Sequence, residues 1–239
     1  MKDSIIKGKK LKNTVVAVGC ISMLVIILFS PLNFYLYKFS FYNSLYEKNN
    51  VYSVIDREDA KKLTSQVFEF FSSNTPFEEF TLKSRFKYFT ENEINHLDDV
   101  RILLDRIKIV FWISVAAAIL CTAVLYEKKY LFYLKNILKI FIISSAAMAG
   151  LMLILYFFGS NFSSLFERFH YIFFPQGNWA FSADALLINI FPFGFFYDFF
   201  YRLLTASFAV AVILLVLSAA ATALINFFLK KERLKRAGK

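Results

Sequence analysis

The sequence predicts an all-α polytopic membrane protein, with four transmembrane helices, an extracellular cap between the first and second, and an interfacial segment between the third and fourth. Three observations predict it. The 239 residues are 58% hydrophobic and 19% aromatic with a mean hydropathy of +0.51, too apolar for a water-soluble domain of this size. Four runs, 15–37, 107–126, 137–158 and 203–229, supply about the 20 apolar residues that cross roughly 30 Å of hydrocarbon, and none carries a charge in its central part. The basic residues are also sorted. The N-terminal tail, the connection near Lys128, Lys129, Lys135 and Lys139, and the C-terminal tail hold 15 of the 28 Lys and Arg against three acidic residues, whereas the two larger loops are close to neutral. The positive-inside rule then puts both termini in the cytoplasm and both larger loops outside.

The expected layout is a basic cytoplasmic tail (1–13), a first span (14–37), the cap (38–106), a second span (107–126) and a cytoplasmic loop (127–136). A third span (137–158), the interfacial segment (159–202), a fourth span (203–229) and a basic tail (230–239) follow. Five lysines precede the first span, but the run is too long for a signal-peptide h-region and lacks a small-residue cleavage site, so it reads as an uncleaved helix. Pro31 near its outer end is tolerable where neighbours satisfy the freed backbone. The collar Tyr35, Tyr37, Phe39, Phe41, Tyr42 and Tyr46 marks a membrane interface.

Within the cap, Asp56 can N-cap a helix that carries Ala60, Leu63, Val67 and Phe71 on one face. Thr75-Pro76 ends or redirects that helix, and the alternation over 80–89 suggests a short strand. Thr90-Glu91-Asn92-Glu93 is a capping box that starts a helix at Glu91, and nothing stops this helix before Tyr126. His96 rides on its protruding turns. Val100, Leu103 and Ile107 follow at helical spacing, which puts His96 on the inward face, with Asp99 one turn on and close enough to fix its tautomer. In the third and fourth spans, the small-residue runs 144–150 and 218–223 allow close helix packing in lipid.

The stretch 169–201, FHYIFFPQGNWAFSADALLINIFPFGFFYDFFY, is too apolar for an ordinary loop and too often broken by Pro175, Gly177, Pro192 and Gly194 for a clean span. It reads as lying in or dipping into the membrane surface. His170, Trp179, Asp184 and Asp198 sit among its aromatic rings, and Arg202 follows it. A chain with 31 Phe and 13 Tyr keeps only two histidines, and topology puts both on the outer face at the membrane boundary. Two imidazoles there, with an unperturbed pKa of about 6.5, can take and give a proton near neutral pH. The bland alternatives are an interfacial ring for His170, an anchor for Trp179, and an i,i+4 ion pair for Asp198 with Arg202.

Other chemistry finds little support. Cys20 and Cys121 both fall inside spans and build no disulfide framework, and the two histidines lie in no established zinc-ligand spacing. There is no phosphate-binding glycine loop and no serine with a base beside it. The net charge of +10 sits in membrane-flanking runs, which argues against nucleic acid as a partner.

Residues 95–101 (NHLDDVR) leading into a span, then 169–174 (FHYIFF), 177–181 (GNWAF) and 191–198 (FPFGFFYD), resemble the lipoprotein intramolecular transacylase family of low-GC Gram-positive bacteria, and the layout is similar across nearly the whole chain. The resemblance implies an acyltransferase of the bacterial cytoplasmic membrane, with its active site at the extracellular face. It would move the sn-2 acyl chain of a diacylglyceryl group onto the α-amino group of the same lipoprotein's N-terminal cysteine. It also implies a diacylated lipoprotein substrate, contact with membrane lipid and no cofactor, since ester-to-amide conversion runs downhill. The family's two essential histidines fall on His96 and His170; Asp99, Arg168, Asn178, Trp179, Asp198 and Arg202 are candidate supporting residues. On this expectation His170 is the base and His96 the acid. A non-enzymatic membrane partner would tolerate loss of either histidine. A small transporter would show charged or broken helices at mid-membrane, which these spans lack.

Overall fold

The computed structural model describes residues 2–73 and 88–237, and among these it contains eight α-helices and no strand. They are α1 (Lys2–Tyr35), α2 (Phe39–Lys48), α3 (Arg57–Ser72), α4 (Glu91–Val124), α5 (Tyr130–Phe158), α6 (Phe162–Phe173), α7 (Leu186–Ile190) and α8 (Phe193–Ala237). Four of them, α1, α4, α5 and α8, are long and apolar enough to cross a membrane, as the sequence predicts. The helix is the natural state of such a run, because in hydrocarbon every backbone N–H and C=O must find its partner within the segment. Both basic tails continue as helix, within α1 and α8.

The chain divides into two compact units. One comprises Met1–Pro31, Ile109–Leu155 and Thr205–Lys239, and gathers the most apolar parts of the four long helices. Cys20, Leu125 and Ile140 form a buried cluster there, with Val15, Val16, Met23, Tyr133 and Ile137 against it. Ser144 and Ser145 are fully buried, and Ser144 returns its hydroxyl to the carbonyl of Ile140 at 2.7 Å, so one side of the small-residue run of α5 faces inward, with Met148, while Ala146 and Ala147 are exposed. Near its basic end Lys12 meets Glu127 at 2.7 Å.

The other unit comprises Leu32–Lys108 and Tyr156–Leu204. A cluster built on Phe41, Tyr42, Leu45, Tyr46, Val67, Phe70, Leu97, Ile190 and Phe195 holds α2, α3, the first turns of α4, α7 and the start of α8 together. Asp56 caps α3 by accepting the Glu58 N–H at 2.8 Å. The buried face of α3 is Ala60, Leu63, Thr64, Val67 and Phe70, so the last position expected inside, Phe71, gives way to its neighbour. A step of three residues from Val67 keeps Phe70 on the stripe, where Arg101 lies 4.5 Å over its ring. The turn expected at Thr75-Pro76 lies outside the described residues, as does most of the strand expected over 80–89.

The capping box holds. The Glu93 carboxylate takes the Thr90 N–H at 2.7 Å and hydroxyl at 2.8 Å, and the Thr90 hydroxyl in turn accepts the Glu93 N–H at 3.3 Å. A 34-residue helix is about 51 Å long, so roughly the first 14 residues of α4 extend past a 30 Å span, and His96 lies on that extension. The segment expected as one interfacial stretch resolves into α6, an irregular loop, the single-turn α7 and the first turns of α8. In α6 the aromatic and apolar residues sort by face: Phe162 and His170 are buried, whereas Phe169, Tyr171, Ile172 and Phe173 are exposed.

Candidate active site

Both histidines are buried, and they meet. Helix α4 supplies His96 and α6 supplies His170, their ring centroids lying 6.0 Å apart with the planes inclined by 25°. The periodicity of each helix explains why. His96 follows Glu93 by three residues and adjoins buried Leu97, so it faces inward with the cap of its own helix. His170 lies two turns beyond buried Phe162 on the stripe that also carries Phe166, whose ring is 4.2 Å away.

The surround is aromatic. Phe174 packs edge-on against His96 at 4.8 Å, Phe181 does so at 5.6 Å, and Trp179 lies against His170 at 4.8 Å. Burial among these rings drives both imidazoles toward the neutral form. His96 is lowered to about 4, first by desolvation and next by the neighbouring His170, with Asp99 and the adjacent Asn178 side chain pulling partly the other way. The His170 pKa is also lowered, by burial, against the opposing effect of its bond to Phe166. That bond is short: His170 Nδ1 lies 2.7 Å from the Phe166 carbonyl oxygen. A carbonyl only accepts, so in the neutral ring Nδ1 carries the hydrogen and Nε2 keeps its lone pair.

The turn after α6 completes the site. Gly177 adopts φ +80°, a conformation that L side chains rarely take, and its N–H closes onto the Phe174 carbonyl at 3.2 Å. The chain is thereby turned so that Gln176 and Asn178 both donate to Asp99 Oδ2, at 2.6 and 2.7 Å. Asp99, expected to orient the imidazole, spends this oxygen on the turn. Among the described residues Trp179 Nε1 is a buried donor with no hydrogen-bond partner, while His96 Nδ1 and Asn178 Oδ1 form no well-aligned hydrogen bond although the two side chains lie together. Unsatisfied groups of this kind are uncommon in a folded protein.

A sequence model of the family described as lipoprotein intramolecular transacylase Lit matches residues 16–196, a stretch that contains both histidines. The chain belongs to the lipoprotein intramolecular transacylase family. No curated protein matches it. Among solved structures it is similar to the membrane-integral lipoprotein intramolecular transacylase Lit from Bacillus cereus, determined in meso, with a TM-score of 0.67 and 18% identity over 95% of this chain and 99% of that one. Two variants of the Bacillus cereus protein, each with one histidine replaced, by arginine or by alanine, give TM-scores of 0.69 at 17% identity; they cover 98% and 97% of this chain and 99% of theirs. The fold is therefore that of an integral membrane transacylase, and the protein is an acyltransferase by family.

The remaining candidate residues of this family member lie elsewhere. Asp198 is buried and bound by Lys48 at 2.5 Å and by the Asn49 side-chain amide at 3.0 Å, a tie between the end of α2 and the start of α8 that sequence spacing does not announce. Arg168 and Arg202 are exposed. Asp184 is exposed and sits with Ser182 beside a cavity of about 360 Å³ lined also by Thr90, Glu93 and Phe181. Among the described residues no group of three His, Cys, Asp or Glu side chains is placed to hold a metal ion. Sequence reasoning missed Gln176, and it missed the second bond of Glu93, whose Oε1 accepts the Leu187 N–H at 2.7 Å and pins α7 to α4. The capping-box spacing was the one signal for Glu93; nothing in the sequence marked Gln176.

Proposed function

We propose that this transacylase moves the sn-2 acyl chain from the diacylglyceryl group of a bacterial lipoprotein to the α-amino group of its N-terminal cysteine, leaving a lyso-form lipoprotein. The observation that carries the reading is the facing pair of buried imidazoles, one of which has its tautomer set by a backbone carbonyl. Donor and acceptor belong to one substrate molecule, so holding both beside the pair turns acyl transfer into an intramolecular step.

The α-ammonium, with a reference pKa of about 8, first loses a proton to solvent. The free amine attacks the ester carbonyl carbon, forming the C–N bond while the π pair moves onto oxygen, and His170 Nε2 takes the second nitrogen-bound proton. The oxyanion is met by the Trp179 indole, which is a donor only and has no partner among the described residues, and by a ring N–H of His96. Collapse breaks the ester C–O bond, and the His170 imidazolium gives its proton to the departing glyceryl oxygen. One amide and one hydroxyl result, with one proton released to solvent. A pKa of about 4 keeps His96 uncharged at neutral pH, which suits a neutral N–H donor better than a standing acid.

The exposed rings of α6 and the aromatic start of α8 supply the surface against which acyl chains and membrane lipid lie. The distribution of basic residues supports a multi-pass protein of the cytoplasmic membrane, with both termini inside and the histidines at the outer face. The reaction needs no cofactor.

The test is mass spectrometry of the N-terminal lipopeptide of a reporter lipoprotein, in a host lacking its own N-acylating enzyme. Wild-type protein is expected to shift one acyl chain from glyceryl oxygen to cysteine nitrogen. His170→Ala should lower the rate by about 10²- to 10⁴-fold, the range of a lost general base. His96→Ala should also impair it severely. A diacylglyceryl peptide with a free amine in all three strains, with the protein present in the membrane, would refute the reading and leave the histidines as packing residues.

A further inference from the structure

Two independent features converge on Asp99. Its Oδ2 accepts both the Gln176 and the Asn178 side-chain amides, at 2.6 and 2.7 Å, and these residues flank Gly177, the one described glycine with a positive φ. The next residue, Trp179, lies 4.8 Å from the His170 ring and 5.3 Å from Tyr171, while Asn178 sits beside His96. One carboxylate oxygen on α4 therefore fixes a turn that reaches both imidazoles. We propose that Asp99 is a positioning residue, a clamp on the 176–179 turn that sets Trp179 against His170 and Asn178 against His96 for acyl transfer.

The chemistry favours a carboxylate for this task. An ionised oxygen accepts two amide N–H groups at once, and such charge-assisted bonds are stronger than neutral ones. A leucine at 99 offers the two amides no acceptor, and even an asparagine would offer only an uncharged carbonyl oxygen. Freed of the clamp, the Gly177 turn keeps the bond of its N–H to the Phe174 carbonyl but loses both side-chain bonds to α4. Displacement of a group by about 1 Å in an active site can cost on the order of 10²-fold in rate.

The proposal rests on the transacylase reading for its kinetic consequence but not for its structural one, and the experiment separates them. The chain has two tryptophans, and Trp112 is 58% exposed on α4, away from the histidines in sequence and outside the proposed machinery. Trp112→Phe makes Trp179 the sole indole reporter while leaving activity unchanged. Imidazolium quenches indole emission on contact, so Trp179 fluorescence should fall as His170 protonates, with a midpoint below about 6.5 because burial lowers that pKa. The titratable group facing His170 is His96, with Asp99 beyond it. In this background Asp99→Leu is expected to abolish the acid quench and to lower kcat by about 10- to 100-fold with KM within about twofold. Gln176→Leu removes one donor, leaves the carboxylate charge in place, and should move both readings in the same direction by a smaller factor. An unaltered quench curve in both variants would overturn the clamp, as would a fall in kcat with Trp179 still reporting His170 normally. If wild-type protein shows no acyl transfer while Asp99→Leu still abolishes the quench, the clamp stands and the transacylase reading falls.

Discussion

His96 and His170 are neutral where most surface histidines begin to charge, and this has two consequences that differ in sign of use. For catalysis the neutral ring is the working form, so kcat/KM should fall on acidification in two steps, first as the substrate amine protonates near its reference pKa of about 8 and again below the ordinary imidazole value of about 6.5, following the lowered pKa of His170. A pH–rate profile that shows the amine limb alone, with no second fall below about 6.5, or one whose second limb His170→Ala leaves unchanged, would rule out His170 as the base. For stability the unfolded chain protonates His96 near 6.5 and the folded chain only near 4, so between these values the unfolded state binds more protons and acid favours it. The stabilisation is complete above about pH 6.5 and is lost as pH falls toward 4, on the order of 3 kcal/mol in all. Thermal unfolding in detergent should show Tm dropping across that window, and His96→Asn should flatten the curve. The histidines themselves were legible in the sequence, because two such residues among so many Phe and Tyr stand out. Their mutual geometry was not, since 74 residues separate α4's His96 from α6's His170 and only the fold sets the distance between them.

At the scale of helices, the site depends on how α4 starts and how α8 starts. Glu93 caps α4 through Thr90 and holds α7 through the Leu187 N–H, and it is almost wholly buried at 1% exposure. Glu93→Ala leaves buried donors unpaired, each worth about 1–3 kcal/mol, so a loss of roughly 2–4 kcal/mol and fast hydrogen exchange at the Leu187 amide are expected. Glu93→Gln should be milder, because it keeps an acceptor. The capping half of this arrangement was legible from four consecutive residues; the α7 half joins residues 94 positions apart and has no local signature. The same division explains Asp198. Its spacing to Arg202 suggests an i,i+4 pair, and nothing local announces the contacts it makes with Lys48 and Asn49, about 150 residues earlier. Gly194 is required by that junction, since a Cβ there would run into Asn49 Oδ1. Gly194→Ala should push Asn49 off Asp198 and lower Tm, whereas Gly150→Ala, with nothing within 4 Å of the added carbon, should be neutral or raise it. Equal Tm values for the two variants would show that the α2–α8 tie contributes nothing.

For the molecule as a whole, the four apolar helices were readable because lipid demands about 20 uncharged residues per crossing and leaves a signal no tertiary contact can mask. The polar unit carried a weaker signal: its helices are short, its core is made by aromatic residues that serve equally as interface anchors, and its contacts are long-range. Sidedness follows from charge alone and is open to direct measurement. Cys20 and Cys121 are buried at 9% and 6% exposure within apolar helices, so the wild-type chain should be nearly silent to a membrane-impermeant maleimide. Ser182 in the loop between α6 and α7, and Lys129 between α4 and α5, are both exposed. In intact cells Ser182→Cys should label and Lys129→Cys should label only after the membrane is opened, as an outward-facing histidine pair and cytoplasmic termini require. The reverse pattern would place the imidazoles in the cytoplasm, where a lipoprotein whose mature N-terminus lies outside could not reach them, and the acyl-transfer reading would fall with the topology.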